Sequence, residues 1–243
     1  MNTCLTSIIC TETSSISIDY MVDNIGGIMD KIINTPYDIL VISGFSGSGK
    51  GTIINKLLSL HPELDLIKSY TTRRKRNSAD YYSFIDLKEF TSLKKKEDFF
   101  LEVNRYSGEW YGTPVHLVKN CISSGKTAII EVDPNGFKQI VTSPLAKGMR
   151  ILSVFVTVDA DTLVKRIFSR NTENLDKILL RLNASLNECE WVNSYDIALP
   201  NYDLDESVKQ IEKALFNYIY PHTSFDTEKF KHRMEEIVDI LSD

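Results

Sequence analysis

Residues 44–52 read GFSGSGKGT. The stretch nearly spells G-x-x-x-x-G-K-[ST], the pattern of a loop that wraps phosphate groups, with Gly51 standing where Ser or Thr is expected. Ahead of it, YDILVISG is a continuous β-branched run ending in Gly, as a buried parallel strand requires. Behind it, KGTIINKLLSLHP sets Ile53, Ile54, Leu57 and Leu58 at helical spacing and stops near Pro62. Strand, glycine loop and helix in this order are the setting that gives a phosphate-loop match its meaning.

The loop chemistry follows from the backbone. Successive N–H groups and a helix N-terminus point at phosphate oxygens. Gly44, Gly47 and Gly49 let the chain curl closely around an anion. With Ser46, Ser48, Gly51 and Thr52 they form a candidate nucleotide cradle, and Lys50 reaches the β- and γ-phosphates as a point charge. Gly51 lacks the hydroxyl that ordinarily ligates Mg²⁺. The metal is therefore expected on the nucleotide phosphates and water, with no direct protein ligand, and Thr52 is expected to bond a phosphate instead.

Composition bounds the rest. The chain has 243 residues, 42% of them hydrophobic and 25% charged, enough apolar material for a sizeable core. A net charge of −5 provides no general field for nucleic acid, so anion sites must come from local basic residues. Cys4, Cys10, Cys121 and Cys189 are scattered, without C-x-x-C or metal-ligand spacing to His, and read as reduced thiols of a cytoplasmic protein. No run of about 18 apolar residues appears and the N-terminus lacks signal-peptide features, so no membrane association is expected.

Beyond the loop, strands alternate with helices, the signature of an α/β protein with a parallel sheet. DLIKSYTTRRKR reads as a strand running into a basic loop, and DLKEFTSLKKKEDFFLE as one or two helices. HLVKNCISSG is helical; KTAIIEVD and RILSVFVTV are buried strands. DADTLVKRIFSR, NLDKILLRLNASLNECEWV and ESVKQIEKALFNYIY are helices. Residues 1–36 form an extension in which SISI suggests a short edge strand and GGIMDKII a helix start. In the tail, 222–243, a helix from about Thr227 to Leu241 would carry Phe230, Met234, Ile237 and Leu241 on one face, packed on the core or on a second subunit.

Three further groups carry chemistry. SYTTRRKR (69–76) holds four basic residues. A solvated cluster is the plain reading; beside a phosphate loop it reads better as a second anion site, since Arg grips phosphate bidentately. DFFLEVNRYSGEWYGTP holds Glu102 beside an apolar run, with Tyr111, Gly112 and Thr113 after a turn. Arg166, Arg170 and Arg181 follow; singly, these and the Glu and Tyr residues read as structural or surface groups.

Taken together, in this order and spacing, the pieces VISGFSGSGKGT, SYTTRRKR, EVNRYSGEWYGTP, SGKTAIIEVD and VKRIFSRN resemble guanylate kinase over about residues 37–221. The resemblance implies phosphoryl transfer from ATP to GMP, and to dGMP, with Mg²⁺. The implied fold is a P-loop NTPase-type parallel-sheet core flanked by helices, a small GMP-binding subdomain at about 68–125 and a lid at about 165–182. It implies that Arg73 and Arg76 grip the GMP phosphate, with Tyr82 and Tyr111 bonding it; the doubled Tyr81-Tyr82 leaves two registers for the former. It makes Ser69, Glu102 and Thr113, next to Gly112, the guanine readers, Asp133 an acid near the acceptor, and Arg166, Arg170 and Arg181 contacts for ATP or the transferring group. The chain departs from the family pattern at Phe45 (usually Pro), at Glu131-Val-Asp133 (usually Asp-x-Asp), at Asn171 (usually Gly) and between Arg76 and Tyr82, where it is shorter. Head and tail lie outside the resemblance and are candidates for a homodimer contact. The rival readings are a nucleoside monophosphate kinase of other or broader base specificity, and a protein-binding module of the same fold.

Overall fold

The computed structural model describes residues 35–75, 82–106, 108–169, 174–221 and 224–242. SISI, GGIMDKII, Arg76, Tyr81, Arg170 and Asn171 lie outside them.

The β-branched run before the loop becomes β1 (Ile39–Gly44), buried along its whole length. It is the middle strand of a five-stranded sheet with β2 (Leu64–Leu66), β7 (Thr127–Glu131), β8 (Ile151–Thr157) and β9 (Ile197–Pro200), in the order β2-β7-β1-β8-β9. Every pairing in it is parallel. Side chains alternate across the sheet. Ile39 and Val41 enter one core layer with Ile130 and Phe155; Leu40 and Ile42 enter the other with Ile129, Leu152 and Val154. The second layer is closed by α1 (Lys50–Leu60) through Ile53, Ile54 and Leu57, and by α7 (Leu204–Asn217) through Val208, Ile211 and Leu215. The first layer is closed by α3 (Val115–Ser123), α4 (Pro134–Thr142), α5 (Ala160–Ser169) and α6 (Leu175–Glu188). The chain leaves β1 for one side of the sheet and returns to the other through β8. The carboxyl end of β1 is thus the switch point at which open parallel sheets bind ligands.

A second sheet of four strands, β4-β3-β6-β5, stands apart from the first. It pairs β3 (Tyr70–Thr71) with β4 (Ser83–Phe84) in parallel, and joins β3, β6 (Glu109–Pro114) and β5 (Phe100–Tyr106) antiparallel. Two expectations change here. DLIKSYTT is not one strand: β2 ends at Leu66, the Ile67 N–H still bonds the Ile129 carbonyl, and the chain then crosses to β3 in the other sheet. The run looked continuous because Ile67 is buried in the main core while Ser69 and Thr71 are buried beyond it. DLKEFTSLKKKEDFFLE is helical only in α2 (Leu87–Lys94), capped by Asp86, whose carboxylate accepts the Glu89 N–H at 2.7 Å. Asp98 then takes a left-handed turn (φ 56°) into β5.

Five elements escaped the sequence reading: the strands β4, β5 and β6 of the second sheet, α4 and β9. In α4 the opening Pro-Asn-Gly looks like a turn, yet Asp133 accepts the Gly136 N–H at 2.8 Å and Pro134 sits in the first turn, which together make a helix start. β9 is only four residues long, too short to show periodicity.

The tail forms α8 (Thr227–Ser242). Phe230 and Met234 are buried, and Ile237 and Leu241 pack against the same cluster, so the target of the stripe is the core of its own chain. The helix lies on α6, on α5 and on the 3₁₀ segment Cys189–Ser194. Among the described residues no helix is long and apolar enough to cross a membrane. Met234 is 0% exposed and Ile240 is 73% exposed on the same helix. Met234→Ala is expected to cost about 2–5 kcal/mol in denaturant unfolding, and Ile240→Ala less than about 0.5 kcal/mol.

Candidate active site

The loop between β1 and α1 is shaped by left-handed backbone at Gly47 (φ 101°) and Gly49 (φ 100°). A Cβ on Gly44 would meet the Val156 carbonyl at 2.4 Å, and one on Gly49 would meet Asn201 Nδ2 at 2.4 Å, so at both places a side chain is excluded by packing. Helix α1 starts from Gly49 with no side-chain cap and no acid in its first turn, leaving its N–H groups without a carboxylate or hydroxyl partner. Lys50 Nζ donates to the Gly44 and Phe45 carbonyls at 2.7 and 3.2 Å. Ser48 is buried, its hydroxyl without a hydrogen-bond partner among the described residues; Thr52 is exposed at the start of α1.

Two donors converge on the back of this loop. Arg166 on α5 donates to the Ser48 carbonyl at 3.1 Å and to the Asn201 carbonyl at 2.8 Å. Asn201, just past β9, donates from Nδ2 to the same Ser48 carbonyl at 2.7 Å and accepts from Ser207 at 3.0 Å. Arg181, on α6, donates to Ser46 Oγ at 3.2 Å. Arg166 and Arg181 thus meet the loop from two helices.

On the second sheet the structure joins Ser69, Glu102 and Thr113, which lie far apart in sequence. The Thr113 hydroxyl donates to Glu102 Oε1 at 2.7 Å and lies 3.0 Å from Ser69 Oγ. All three are buried. Pairing of β5 with β6 aligns Glu102 with Thr113, past an irregularity between Phe100 and Glu102. Gly112 is needed beneath, since a Cβ there would strike the Phe100 ring at 2.8 Å. Burial pushes the Glu102 carboxyl up to about 7; Asp133 adds to the shift and the Thr113 bond opposes it.

A third group lies on the same sheet. The Arg73 guanidinium sits 5.0 Å from the Tyr82 ring and 5.5 Å from the Phe84 ring, and Tyr82 meets Tyr111 edge-on at 5.6 Å. Arg73 and both tyrosines are therefore together. Asp133 stands at the end of β7, where it caps α4 and accepts from Asn104. Burial raises its carboxyl, against the pull of its hydrogen bonds and of Lys50.

Sequence reasoning missed Asn201, Asn104 and Glu188. Asn201 follows an apolar strand end, the only local hint it offered. Glu188, at the end of α6, has Oε2 buried without a hydrogen-bond partner among the described residues. Burial pushes it to about 7, while Lys50 draws it down. Nothing in a helix of mixed composition marked it as facing the loop.

The family model described as Guanylate kinase matches residues 37–218. A guanylate kinase of Trichormus variabilis is 37% identical over 183 residues, covering 73% of this chain and 89% of that protein. One from Mycoplasmoides gallisepticum is 36% identical over 185 residues, covering 74% of this chain and 92% of its own. The crystal structure of guanylate kinase from Anaplasma phagocytophilum superposes with a TM-score of 0.59 at 21% identity, covering 78% of this chain and 89% of that one, and shares the fold.

The raised Glu102 has a consequence for stability. Between its ordinary 4.5 and about 7 the folded protein holds a proton that the unfolded chain has released, so this contribution to stability falls as pH rises through the window. Glu188 acts in the same direction. Glu102→Gln is expected to make the pH dependence of unfolding shallower by up to about 1.4 kcal/mol per pH unit there. Denaturant melts of both proteins across the window check this; equal slopes would mean that Glu102 ionises normally.

Proposed function

This chain belongs to the guanylate kinase family, and on that premise we propose that it transfers the γ-phosphoryl group of ATP to GMP, and to dGMP, giving ADP and the nucleoside diphosphate. The observation that carries the base assignment is the buried chain Ser69–Thr113–Glu102. Guanine presents N1–H and a 2-amino group as adjacent donors, and one carboxylate accepts from both. Adenine offers neither, so it would leave Glu102 uncompensated in a buried site. No observation favours a broader base specificity or a protein-binding role over this reading.

The phosphate loop and the uncapped start of α1 hold the ATP phosphates, the cradle running through Gly44, Ser46, Gly47, Ser48, Gly49, Lys50, Gly51 and Thr52. Lys50 leaves its resting carbonyls for the β- and γ-phosphates. Arg166 and Arg181, with Arg170, neutralise charge on the transferring group. Arg73, Arg76, Tyr82 and Tyr111 hold the GMP phosphate in line, and Asp133 stands beside the acceptor. No general base is required, because the attacking phosphate oxygen is already ionised; positioning and charge stabilisation do the work. Residues 68–125 act as the GMP-binding part and 165–182 as a lid that excludes water.

The surroundings suit Mg²⁺ carried by the nucleotide. A Cβ at Gly51 would meet nothing within 4 Å, so the space beside the start of α1 is open. An ion brought by the nucleotide would be held mainly by the phosphates and water, with Asp133 nearby and Thr52 bonding a phosphate. Bound so, it supplies charge neutralisation at the phosphate oxygens. The free, buried thiols of Cys121 and Cys189 support a reducing, cytoplasmic setting.

The test is an ADP-release assay across GMP, dGMP, AMP, CMP and UMP. GMP is expected to be preferred over AMP by about 10⁴-fold in kcat/KM, with the preference collapsing in Glu102→Gln. Equal wild-type values for GMP and AMP would overturn the assignment of the base. Lys50→Ala, compared with wild type in single-turnover transfer, is expected to lose at least about 10²-fold; near-normal transfer in a folded variant would remove Lys50 from the mechanism.

A further inference from the structure

We infer that Phe230, with Phe225 beside it, is a positioning residue for the phosphate loop: the tail helix sets the loop's resting shape through Phe45 and thereby the affinity for ATP. The inference rests on the reading of the loop as the ATP site, and α8 lies beyond residues 37–218, which the family model matches.

Phe45 is the second residue of the loop and is 0% exposed. Its ring is enclosed by three others. Phe155 of the sheet meets it edge-on at 5.0 Å. Phe230 of α8 stacks on it at 4.5 Å with the planes 5° apart, and Phe225 leans on it at 5.8 Å. Phe225 and Phe230 are themselves 5.3 Å apart. Two of the three aromatic walls around this loop residue therefore come from the tail.

The backbone of Phe45 carries the loop. Its carbonyl accepts the Ser48 N–H at 3.0 Å, closing the turn, and accepts Lys50 Nζ at 3.2 Å. The next residue, Ser46, receives Arg181. Turning the Phe45 ring displaces the same residue's carbonyl, and with it the turn and the resting place of Lys50. Close-packed interiors transmit such a displacement because they leave no slack to absorb it. The helix is well placed to hold the ring. It packs on α6 and α5, the helices of Arg181 and Arg166. Arg233 reaches Asp161 on α5 at 2.8 Å, and Lys231 reaches Glu190 at 2.8 Å.

Phosphate binding by backbone N–H groups depends on their alignment, and misplacement by about 1 Å costs up to about 10²-fold in such sites. Removing the Phe230 ring opens a void into which Phe45 can turn. Ser69, Thr113 and Glu102 are on the other sheet, so a loosened loop weakens ATP without touching the guanine pocket. A helix that served stability alone would show no such division.

The experiment uses the full chain. Direct titration with ATP, KM for ATP and for GMP, and the melting temperature are measured for wild type, Phe230→Ala, Phe230→Leu, Phe225→Ala and the exposed control Ile240→Ser. Phe230→Ala is expected to raise the Kd and KM of ATP about 10-fold, with the KM of GMP within about twofold of wild type; Phe230→Leu, which refills the void, recovers most of the loss, and Ile240→Ser shows none. If Phe230→Ala fails to fold, Phe225→Ala, at a half-buried ring, decides, with an expected rise of about threefold for ATP alone. Unchanged ATP affinity in the folded variants, or equal losses for ATP and GMP, overturns the inference. A wild-type protein that binds ATP but does not phosphorylate GMP would overturn the kinase reading and leave this one standing.

Discussion

Every other feature depends on one arrangement of backbone: a helix start left uncapped at the carboxyl end of the central strand. Four other helices are capped by side chains, through Asp86, Asp133, Asn174 and Asp203; α3, which starts behind Pro114, also lacks a side-chain cap, but not at the end of the central strand. At α1 the chain uses Gly49 and places no acid in the first turn. Unpaired N–H groups at a helix end cost stability unless something accepts from them, and a phosphate is the natural acceptor. The loop is prevented from collapsing onto those groups by its own enclosure. Arg166 and Asn201 pull the Ser48 carbonyl from behind, and packing against Val156 and Asn201 excludes side chains at Gly44 and Gly49.

The two halves of the site use opposite electrostatics. Around the loop the fixed charges are cationic: Lys50, Arg166 and Arg181. The base pocket on the second sheet centres instead on a carboxylate whose burial favours the proton. Such a group sits poorly charged in the free protein and becomes a good acceptor when two donors are set against it. Discrimination therefore comes from the cost of leaving it unpaired. Glu188 is a second buried carboxylate within reach of the Lys50 charge, and its raised value reflects the same burial.

The departure at Phe45 and the tail belong to one packing solution. A large aromatic side chain in the second place of a phosphate loop needs a pocket, and the main sheet supplies the Phe155 ring. Two further rings come from Phe230 on α8 and Phe225 just before it, and the helix is held by Met234 in the core and by Arg233 at the surface. Exposed ion pairs of this kind add little energy, so the weight of the attachment rests on the buried apolar face.

What the sequence by itself determined is what short-range chemistry encodes. The β1 run, the glycine spacing and the helical periods of α1, α3, α5, α6, α7 and the tail helix were all legible, because each rests on local periodicity, a turn residue or a motif with a known mechanism; the candidates at 69, 102 and 113 came only from the family resemblance. Tertiary structure alone decided the rest. That DLIKSYTT serves two sheets was invisible, since burial in either core asks for the same apolar residues. PNGFKQIVT hid its helix behind residues that favour turns until Asp133 was seen to cap it. Glu188 carries no local mark and Asn201 only its place after an apolar strand end, because their roles come from atoms 153 residues away in the case of Asn201 and from burial against Lys50 in the case of Glu188. The tail's apolar stripe was plain in the sequence, but whether it met its own core or another chain depended on a pocket around Phe45 that exists only once the sheet, the loop and α6 have assembled.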